Sequence, residues 1–246
     1  MRNKLSYKLS ETNDKYNQLE FLRKYFKSTF NLTPIMGAEL EFYLSYNVDV
    51  KLLEREINYI IKLEKGRNQY EIDFAPTHDL VSIAKEINIV RSKIVNQTKK
   101  MNGHADFHSK PFINDYGSSM HIHLNFLEDT NIEKYAQILC SVIYQYLDYF
   151  LPLEQDYQRL DAKFMAPTHI CWGGNNRSVL IRIPDSLPKR LEHRLSSSNA
   201  DPSLVIFAIL DGIKNGLENN TKIINLPKIY GNAFDPQYGL KRIKKN

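Results

Sequence analysis

Residues 117–126 form a stretch in which apolar and polar side chains alternate with the period of a β-strand. Successive side chains of a strand point to opposite faces of the sheet. His121, His123 and Asn125 therefore share one face, and the apolar residues between them share the other. The Gly-Ser-Ser sequence that begins at Gly117 is typical of a loop whose backbone approaches a ligand. A His-x-His strand alone is more often a solvated face than a metal site, so its meaning depends on the other strands.

Residues 37–44 alternate in the same way. Glu39 and Glu41 lie on one face of this predicted strand, and the apolar residues between and after them lie on the other. Two carboxylates about 6 to 7 Å apart on one strand face repel each other unless a cation or solvent lies between them. An exposed edge strand with charged residues is the alternative interpretation.

A predicted hairpin brings two further carboxylates. Residues 63–74 read as two short strands around a turn at Gly66, and Glu64 and Glu71 flank that turn. Together with the strands above, the hairpin makes four carboxylates and two histidines candidates for a common site.

Longer segments repeat apolar residues every three to four positions, which is the period of an amphipathic helix. The predicted helices cover residues 12–28, 50–62, 79–101, 131–150 and 202–219. Asp79 is the predicted N-cap of the third. Four side chains of the second are expected to face the core: Leu53, Ile57, Ile60 and Ile61. Without repeats or a flexible linker, residues 1–246 are expected to form a single α+β domain, with an antiparallel sheet packed against helices.

Composition narrows the class of protein. Of the 246 residues, 42% are hydrophobic and 25% are charged, which is typical of a globular chain and argues against disorder. There is no run of about eighteen uncharged apolar residues and no apolar core of a signal peptide, so neither secretion nor a membrane partner is expected. Cys140 and Cys171 are isolated from each other in the sequence, which fits a cytoplasmic protein.

The charge balance raises the question of nucleic-acid binding. The formal net charge is +5 and the pI is about 9.0. However, lysines and arginines are dispersed over the predicted helices, apart from a short basic tail at 241–245, and no nucleic-acid-binding motif is present. A nucleic-acid partner is therefore not expected.

Arginines concentrate between residues 159 and 194, and two predicted strands, 178–183 and 189–195, carry several of them beside Glu192. Arginine on a strand beside a carboxylate suggests bidentate recognition of an anion. Carboxylates with an imidazole favour Mg²⁺ or Mn²⁺ over Zn²⁺, and the inventory suits two ions. Metal ions and arginines that position phosphate oxygens suit an ATP-dependent reaction, although neither a P-loop nor a G-x-G-x-x-G motif is present.

Six motifs between about residues 34 and 235 together resemble the catalytic domain of the glutamine synthetase family. They are Gly-Ala-Glu-Leu-Glu-Phe at 37–42, Asn-Gln-Tyr-Glu-Ile at 68–72, Ala-Asp-Phe-His-Ser-Lys-Pro-Phe at 105–112, Gly-Ser-Ser-Met-His-Ile-His at 117–123, Asn-Arg-Ser-Val-Leu-Ile-Arg-Ile-Pro at 176–184 and Arg-Leu-Glu-His-Arg at 190–194. Two segments, 172–177 and 192–194, resemble the γ-glutamylpolyamine synthetase branch. The resemblance implies a curved antiparallel sheet packed against helices.

The resemblance also implies a role for each site residue. One metal ion would be held by Glu41, Glu64 and Glu71, and the other by Glu39, His121 and Glu192. The nucleotide would lie beside His123, Asn125 and Arg190. The catalytic residues facing phosphate and developing charge would be Arg177, Arg182 and Arg194. Glutamate would be held by Arg159 and Gly117.

The implied reaction passes the γ-phosphate of ATP to the side-chain carboxylate of glutamate, and ammonia or a polyamine then displaces phosphate. Ammonia-using members carry a flap glutamate six residues after the position of Arg159. Met165 stands there in this chain, which is compatible with an amine substrate or with lost activity. The chain is also expected to lack the family's N-terminal β-grasp domain and C-terminal helical segment. The alternative is therefore an inactive truncated paralogue that binds nucleotide and metal, or that joins a homo-oligomer or a full-length synthetase.

Overall fold

The computed structural model describes residues 12–218 and 225–245. Within these ranges the chain forms nine strands and six α-helices. The strands are β1 Pro34–Leu44, β2 Lys62–Leu63, β3 Gln69–Thr77, β4 Ala105–Asp106, β5 Met120–Phe126, β6 Trp172–Gly173, β7 Ile181–Arg182, β8 Leu191–His193 and β9 Lys228–Ile229. The helices are α1 Thr12–Phe30, α2 Val50–Ile57, α3 Leu80–Lys100, α4 Ile132–Val142, α5 Leu147–Phe150 and α6 Pro202–Glu218.

The strands form one sheet in the order β2-β3-β1-β5-β8-β7-β6-β9, with β4 paired to the end of β1. The pairings from β2 to β7 are antiparallel. At the far edge, β6 pairs in parallel with both β7 and β9. The predicted fold class is therefore confirmed, with a mixed rather than a wholly antiparallel sheet.

The helices cover one face of the sheet and bury its apolar side chains. Leu40 and Phe42 of β1 and Ile122 of β5 are fully buried there. Helix α6 is apolar on most sides and packs against α1, α3 and α4, so it occupies the centre of the helical layer. Each such side chain contributes about 1.5 to 3 kcal/mol when it is fully buried. The opposite face of the sheet is left for polar side chains.

The predicted long helices are observed, and their ends follow local chemistry. The side chain of Asp79 accepts a hydrogen bond from the N–H of Ser82, so the predicted N-cap of α3 is confirmed. Residue 219, the predicted last residue of the final helix, lies outside the described residues. Among the described residues, no helix is long and apolar enough to span a membrane.

Two helix predictions were wrong in extent. Helix α2 ends at Ile57 because Asn58 adopts a left-handed conformation, and Ile60, predicted to face the core, is 76% exposed. The predicted helix 131–150 is interrupted after Val142 by a 3₁₀ turn, Ile143–Gln145. This tighter turn allows the hydroxyl of Tyr146 to donate to Asp211 of α6 at 2.7 Å.

Candidate active site

A cleft opens on the polar face of the sheet. Its volume is about 770 Å³, including the part that is open to solvent. Most of the residues predicted from the sequence to form the site line this cleft. They are Glu39, Glu41, Glu64, Glu71, Gly117, His121, Arg159, Arg177, Arg182, Glu192 and Arg194. Thus residues separated by more than 150 positions in the chain meet in one place.

Strand register explains why these side chains meet. Neighbouring strands of a sheet lie about 4.8 Å apart, and residues opposite each other project to the same side. The register aligns Glu71 with Glu41, Glu39 with His121, His123 with Glu192, and Glu192 with Arg182. The functional side chains therefore form a row across five adjacent strands, from β3 through β1, β5 and β8 to β7.

One side of the cleft is an acidic wall, formed by Glu39, Glu41, Glu64 and Glu71. Burial raises the pKa of Glu71 to about 9, and the charges of Glu39, Glu41 and Glu64 add to the shift. Burial and the charge of Glu41 also raise the pKa of Glu64. A carboxyl group with a raised pKa retains a proton that a bound cation would displace.

Ser119 orients two members of this site, a role that no pattern in the sequence predicted. Its N–H and its hydroxyl each donate to Oε2 of Glu41 at 2.7 Å. The same hydroxyl lies 2.8 Å from Nε2 of His121. The other ring nitrogen of His121, Nδ1, lies 3.0 Å from Oε2 of Glu39. The loop before β5 therefore fixes the carboxylate of Glu41 and the imidazole ring together.

The other side of the cleft is an arginine wall, formed by Arg177, Arg182 and Arg194 around Glu192. Nε of Arg182 donates to Oε2 of Glu192 at 2.5 Å, and Nε of Arg194 donates to Oε1 at 3.0 Å. Burial works to raise the pKa of Glu192, but the charges of His121, Arg194 and Arg182 outweigh it and lower the pKa. The backbone carbonyl of Arg177 accepts a hydrogen bond from Arg194, whereas the Arg177 side chain is exposed.

The donor atoms of the cleft suit a hard divalent cation. There are two groups of three residues whose donor atoms all lie within 4.8 Å of one another. One group is Glu39, His123 and Glu192, and the other is Glu39, Glu71 and His121. Nδ1 of His121 also lies 3.6 Å from Oε1 of Glu192, so one of the two ligand sets implied by the resemblance is in contact. Carboxylate oxygens with an imidazole are the donors that Mg²⁺ and Mn²⁺ accept, and the repulsion within the acidic wall is what such a cation relieves.

Arg159 and Gly117 form the floor of the cleft. Arg159 is 3% exposed, and its Nη2 donates to the backbone carbonyls of Arg194 and Leu195. A Cβ atom added to Gly117 would lie 2.2 Å from Cγ of Arg159, so only glycine allows this close approach. Burial lowers the pKa of Arg159 to about 10, which leaves the guanidinium charged at neutral pH.

Three predicted site residues do not line the cleft: His123, Asn125 and Arg190. His123 lies at its border, with Nε2 3.2 Å from Oε1 of Glu39 at an angle that does not make a hydrogen bond. Asn125 is two positions farther along β5. Arg190 donates to Ser186 and to the carbonyl of Pro188, so it stabilises its own loop. The proposed nucleotide contacts of these residues stay predictions.

The cleft lining also includes residues for which no role in the site was predicted, namely Lys65, Gln69, Tyr116, Phe164 and Ala166, together with Met165. The ring of Phe164 packs edge-on against Tyr116, with centroids 5.3 Å apart. Except for Gln69, which begins β3, these side chains come from irregular segments, so no sequence pattern indicated that they would meet. The mouth is therefore partly apolar, whereas the interior of the cleft is charged.

Comparison with known proteins identifies the family of the chain. The sequence model of the glutamine synthetase catalytic domain matches residues 56–238. The chain therefore belongs to the glutamine synthetase catalytic-domain family.

Two relatives show what share of a family member's length the chain matches. The chain is 27% identical over 190 residues to γ-glutamylputrescine synthetase PuuA of Escherichia coli K12, covering 71% of this chain and 40% of that protein. It is 32% identical over 180 residues to glutamine synthetase of Staphylococcus aureus MW2, covering 65% of this chain and 40% of that enzyme. The matched region thus spans about two fifths of the length of these relatives.

Solved structures show the same fold at lower identity. A GmaS/ADP complex superposes with a TM-score of 0.75 at 18% identity, covering 94% of this chain and 65% of that chain. GmaS without ligand gives a TM-score of 0.76 at 19% identity, covering 94% and 64%. At this level of identity the likeness establishes the fold.

Proposed function

We propose that the cleft carries out ATP- and divalent-metal-dependent ligation of an amine or ammonia to the γ-carboxylate of glutamate. The observation that carries the proposal is the row of side chains across five strands, in which an acidic wall faces an arginine wall. Such a site binds cations on one side and phosphate oxygens on the other. Family membership and the two ligase relatives support the same chemistry.

Each wall has a distinct task in this proposal. The proposed metal ligands are Glu39, Glu41, Glu64, Glu71, His121 and Glu192. Bound Mg²⁺ or Mn²⁺ would neutralise phosphate charge and polarise the transferred phosphoryl group. Arg177, Arg182 and Arg194 bind the phosphate oxygens, and Arg159 with the Gly117 loop binds glutamate. Ser119 keeps Glu41 and His121 in place throughout.

The reaction has two steps. An oxygen of the glutamate γ-carboxylate attacks the γ-phosphorus of ATP, the bond to the β-phosphate oxygen breaks, and ADP leaves. The amine nitrogen then attacks the acyl carbon of the acylphosphate, phosphate leaves and the amine loses a proton to the carboxylate-lined cleft. Arginine donors that are fixed before the reaction stabilise the charge that develops on phosphate and on the acyl oxygen.

The mouth of the cleft favours an amine over ammonium as the acceptor. Phe164, Met165 and Ala166 line it, and no carboxylate is contributed by this segment. Ammonium has only charge and hydrogen bonds for recognition, whereas an alkylamine also presents methylene groups that bury against apolar side chains. We therefore propose putrescine, spermidine or a short alkylamine ahead of ammonia.

Phosphate release tests the proposal. The full chain is assayed with ATP, glutamate and Mg²⁺ or Mn²⁺, with ammonium, methylamine, putrescine or spermidine as the acceptor. We expect amine-dependent release that Glu192→Gln abolishes. Glu133→Gln, which changes an exposed helix carboxylate outside the cleft, should leave the rate unchanged.

Calorimetric titration of ATP with and without metal accompanies the assay. Metal-dependent binding without turnover in any arm would contradict the ligase proposal and support a nucleotide-binding partner of a full-length synthetase. Binding that is indifferent to metal would contradict the assignment of the acidic wall as a metal site.

A further inference from the structure

The mouth of the cleft is built by two segments that are distant in the sequence. One is the loop 110–117, which leads into β5 and contributes Tyr116 and Gly117. The other is the turn 161–166, which contributes Phe164, Met165 and Ala166. What holds these segments together decides how well the cleft closes around glutamate and the acceptor.

The backbone of the turn 161–166 is hydrogen-bonded to itself. The N–H groups of Phe164 and Ala166 donate to the carbonyl of Asp161 at 3.1 and 3.3 Å, and the N–H of Met165 donates to Ala162 at 3.1 Å. These bonds shape the turn without attaching it to the rest of the cleft. Its attachment to the facing loop comes from the side chain of Phe164.

Lys110 makes that attachment. Its Nζ lies 3.8 Å from the centroid of the Phe164 ring, within the range of a cation–π contact. The same Nζ donates to the backbone carbonyl of Asp115 at 2.5 Å. Tyr116 packs edge-on against the same Phe164 ring. Lys110 therefore touches both segments at once.

The loop 110–117 is itself held independently of Lys110. The hydroxyl of Tyr43 donates to the carbonyl of Tyr116 at 2.8 Å, and Nε2 of Gln69 donates to the carbonyl of Gly117 at 3.0 Å. The carboxylate of Asp115 accepts from the N–H of Arg67 at 2.9 Å. Loss of Lys110 would therefore leave the turn attached to the loop only through the ring contact of Phe164 with Tyr116, while the loop keeps its anchors on β1 and β3.

We propose that Lys110 is a positioning residue that clasps Phe164, and with it Met165, against the loop 110–117, and so closes the acceptor side of the cleft. The specificity role of Lys110 rests on the proposed function, because it concerns binding of the acceptor at the same site. The clasp also has a structural consequence, that the turn opens when the clasp is lost, which is measurable without turnover.

Limited trypsin digestion measures the opening of the turn. Lys163 is exposed and directly precedes Phe164, so the bond between them is cleaved when the turn opens. We expect Lys110→Met and Phe164→Leu to accelerate this cleavage by about two- to thirtyfold, the population change that a lost cation–π contact produces. Lys110→Arg, which retains the cation, should restore most of the protection.

Lys241→Met is the matched control, because Lys241 lies 4.2 Å from the ring centroid of Tyr144, away from the cleft lining. It should leave cleavage after Lys163 unchanged. In the double variant Lys110→Met/Phe164→Leu, the acceleration should be smaller than the product of the two single effects, because both changes remove the same contact.

Kinetics and binding separate positioning from a general structural role. We expect Lys110→Met to raise KM for the amine and glutamate by about two- to thirtyfold, with metal-dependent ATP affinity unchanged. Cleavage after Lys163 that is equal in parent, Lys110→Met and Phe164→Leu would overturn the clasp. Faster cleavage in a chain that shows no ligase activity would uphold the clasp and overturn only the proposed function, so the two failures are distinguishable.

Discussion

The two walls of the cleft show that burial alone does not decide the charge of a carboxyl group. Glu71 and Glu192 are both buried, at 8% and 2% exposure. Glu71 has other carboxylates as neighbours, and its pKa is raised to about 9. Glu192 has Arg182 and Arg194 as neighbours, and its pKa is lowered despite the deeper burial. The charge of Glu192 is thus balanced by arginines of the protein itself, whereas Glu71 requires a proton or a cation.

The largest effect is expected from Glu192→Ala. Removal of this carboxylate leaves Arg194, which is almost completely buried, and Arg182 without their partner. Breaking a buried pair by removing one side typically lowers the free energy of unfolding by about 3 to 5 kcal/mol. Urea unfolding of the metal-free chain measures this loss, and titration calorimetry should show that metal-dependent ATP binding is lost as well.

Glu71→Gln sharpens the comparison, because the same measurement should give a small effect at the acidic wall. The glutamine replaces a carboxyl group that is already protonated at neutral pH, so no charge is left unpaired. If Glu71→Gln destabilised the metal-free chain at pH 7 as much as Glu192→Ala does, the assignment of opposite charge states to the two walls would be wrong.

Metal binding should depend on pH at the acidic wall. Because the pKa of Glu71 is raised from 4.5 to about 9 in the folded chain, this group favours folding below pH 4.5, and that contribution is lost as pH rises toward 9. A metal ion displaces the proton, so its apparent affinity should rise about tenfold per pH unit between pH 6 and 9. Calorimetry in buffers of different ionisation enthalpy should show about one proton released.

Glu71→Gln should remove both the proton release and the steep pH dependence while also weakening metal binding. An affinity for Mg²⁺ or Mn²⁺ that is the same at pH 6 and pH 8.5 in the parent chain would contradict the assignment of a retained proton to this wall.

The parts of this site that could be predicted from the sequence are those with a strand period. Alternation at 37–44 was enough to place Glu39 and Glu41 on one face of their strand, and alternation at 117–126 did the same for His121 and His123. That the two faces coincide follows from the register of β1 with β5. The parallel pairing of β6 with β9 could not be predicted in this way, because each of these strands has only two residues and so shows no alternation. The contact of Lys110 with Phe164 joins two irregular loops. Because the two residues are 54 positions apart, no local sequence pattern could predict this contact.

One helix end was determined by local backbone geometry and another by a tertiary contact, and neither followed the hydrophobic pattern. Ile60 continues the apolar period of α2, but the left-handed Asn58 ends the helix before it, so Ile60 is exposed, whereas Ile61 is buried as predicted. The interruption after Val142 likewise follows the packing of Tyr146 against α6, which is a tertiary contact. Propensity and periodicity do not contain that information.

His193 follows Glu192 in β8 and lies on the opposite face of the sheet, among the helices. It is completely buried against Phe150, with ring centroids 4.3 Å apart, and neither ring nitrogen has a hydrogen-bond partner among the described residues. Burial, with the charges of His121 and Arg159, lowers its pKa to about 3. In the unfolded chain this histidine binds a proton near pH 6.5, whereas in the folded chain it stays neutral until about pH 3. The free energy of unfolding therefore falls as pH drops from 6.5 toward 3, by about 1.4 kcal/mol per pH unit at most.

We expect His193→Phe to remove this acid sensitivity and to raise the free energy of unfolding at pH 5 by about 1 to 2 kcal/mol relative to the parent. At pH 8 the two chains should be similar, apart from packing of the larger ring. Urea unfolding at both pH values gives the comparison, and an equal difference at pH 5 and pH 8 would show that His193 does not titrate on unfolding.

The smallest effect is expected at Met165, which lines the cleft. Met165 has φ 57° and ψ 21°, a left-handed conformation. The other non-glycine residues with positive φ in the described ranges are all asparagines, namely Asn31, Asn58, Asn68 and Asn102. Asparagine tolerates this conformation better than a long side chain does. Met165→Asn should therefore raise the free energy of unfolding by about 1 kcal/mol or less.

Met101→Asn is the matched control, because Met101 also ends a helix and is half-buried but has an ordinary φ of −87°. It should not stabilise the chain. Since neither change alters a charge, the gain at Met165 should be the same at pH 6 and pH 9, unlike the effects at Glu71 and His193. A pH-dependent gain would mean that Met165 influences the proton held by the acidic wall, and would couple the mouth of the cleft to its charged interior.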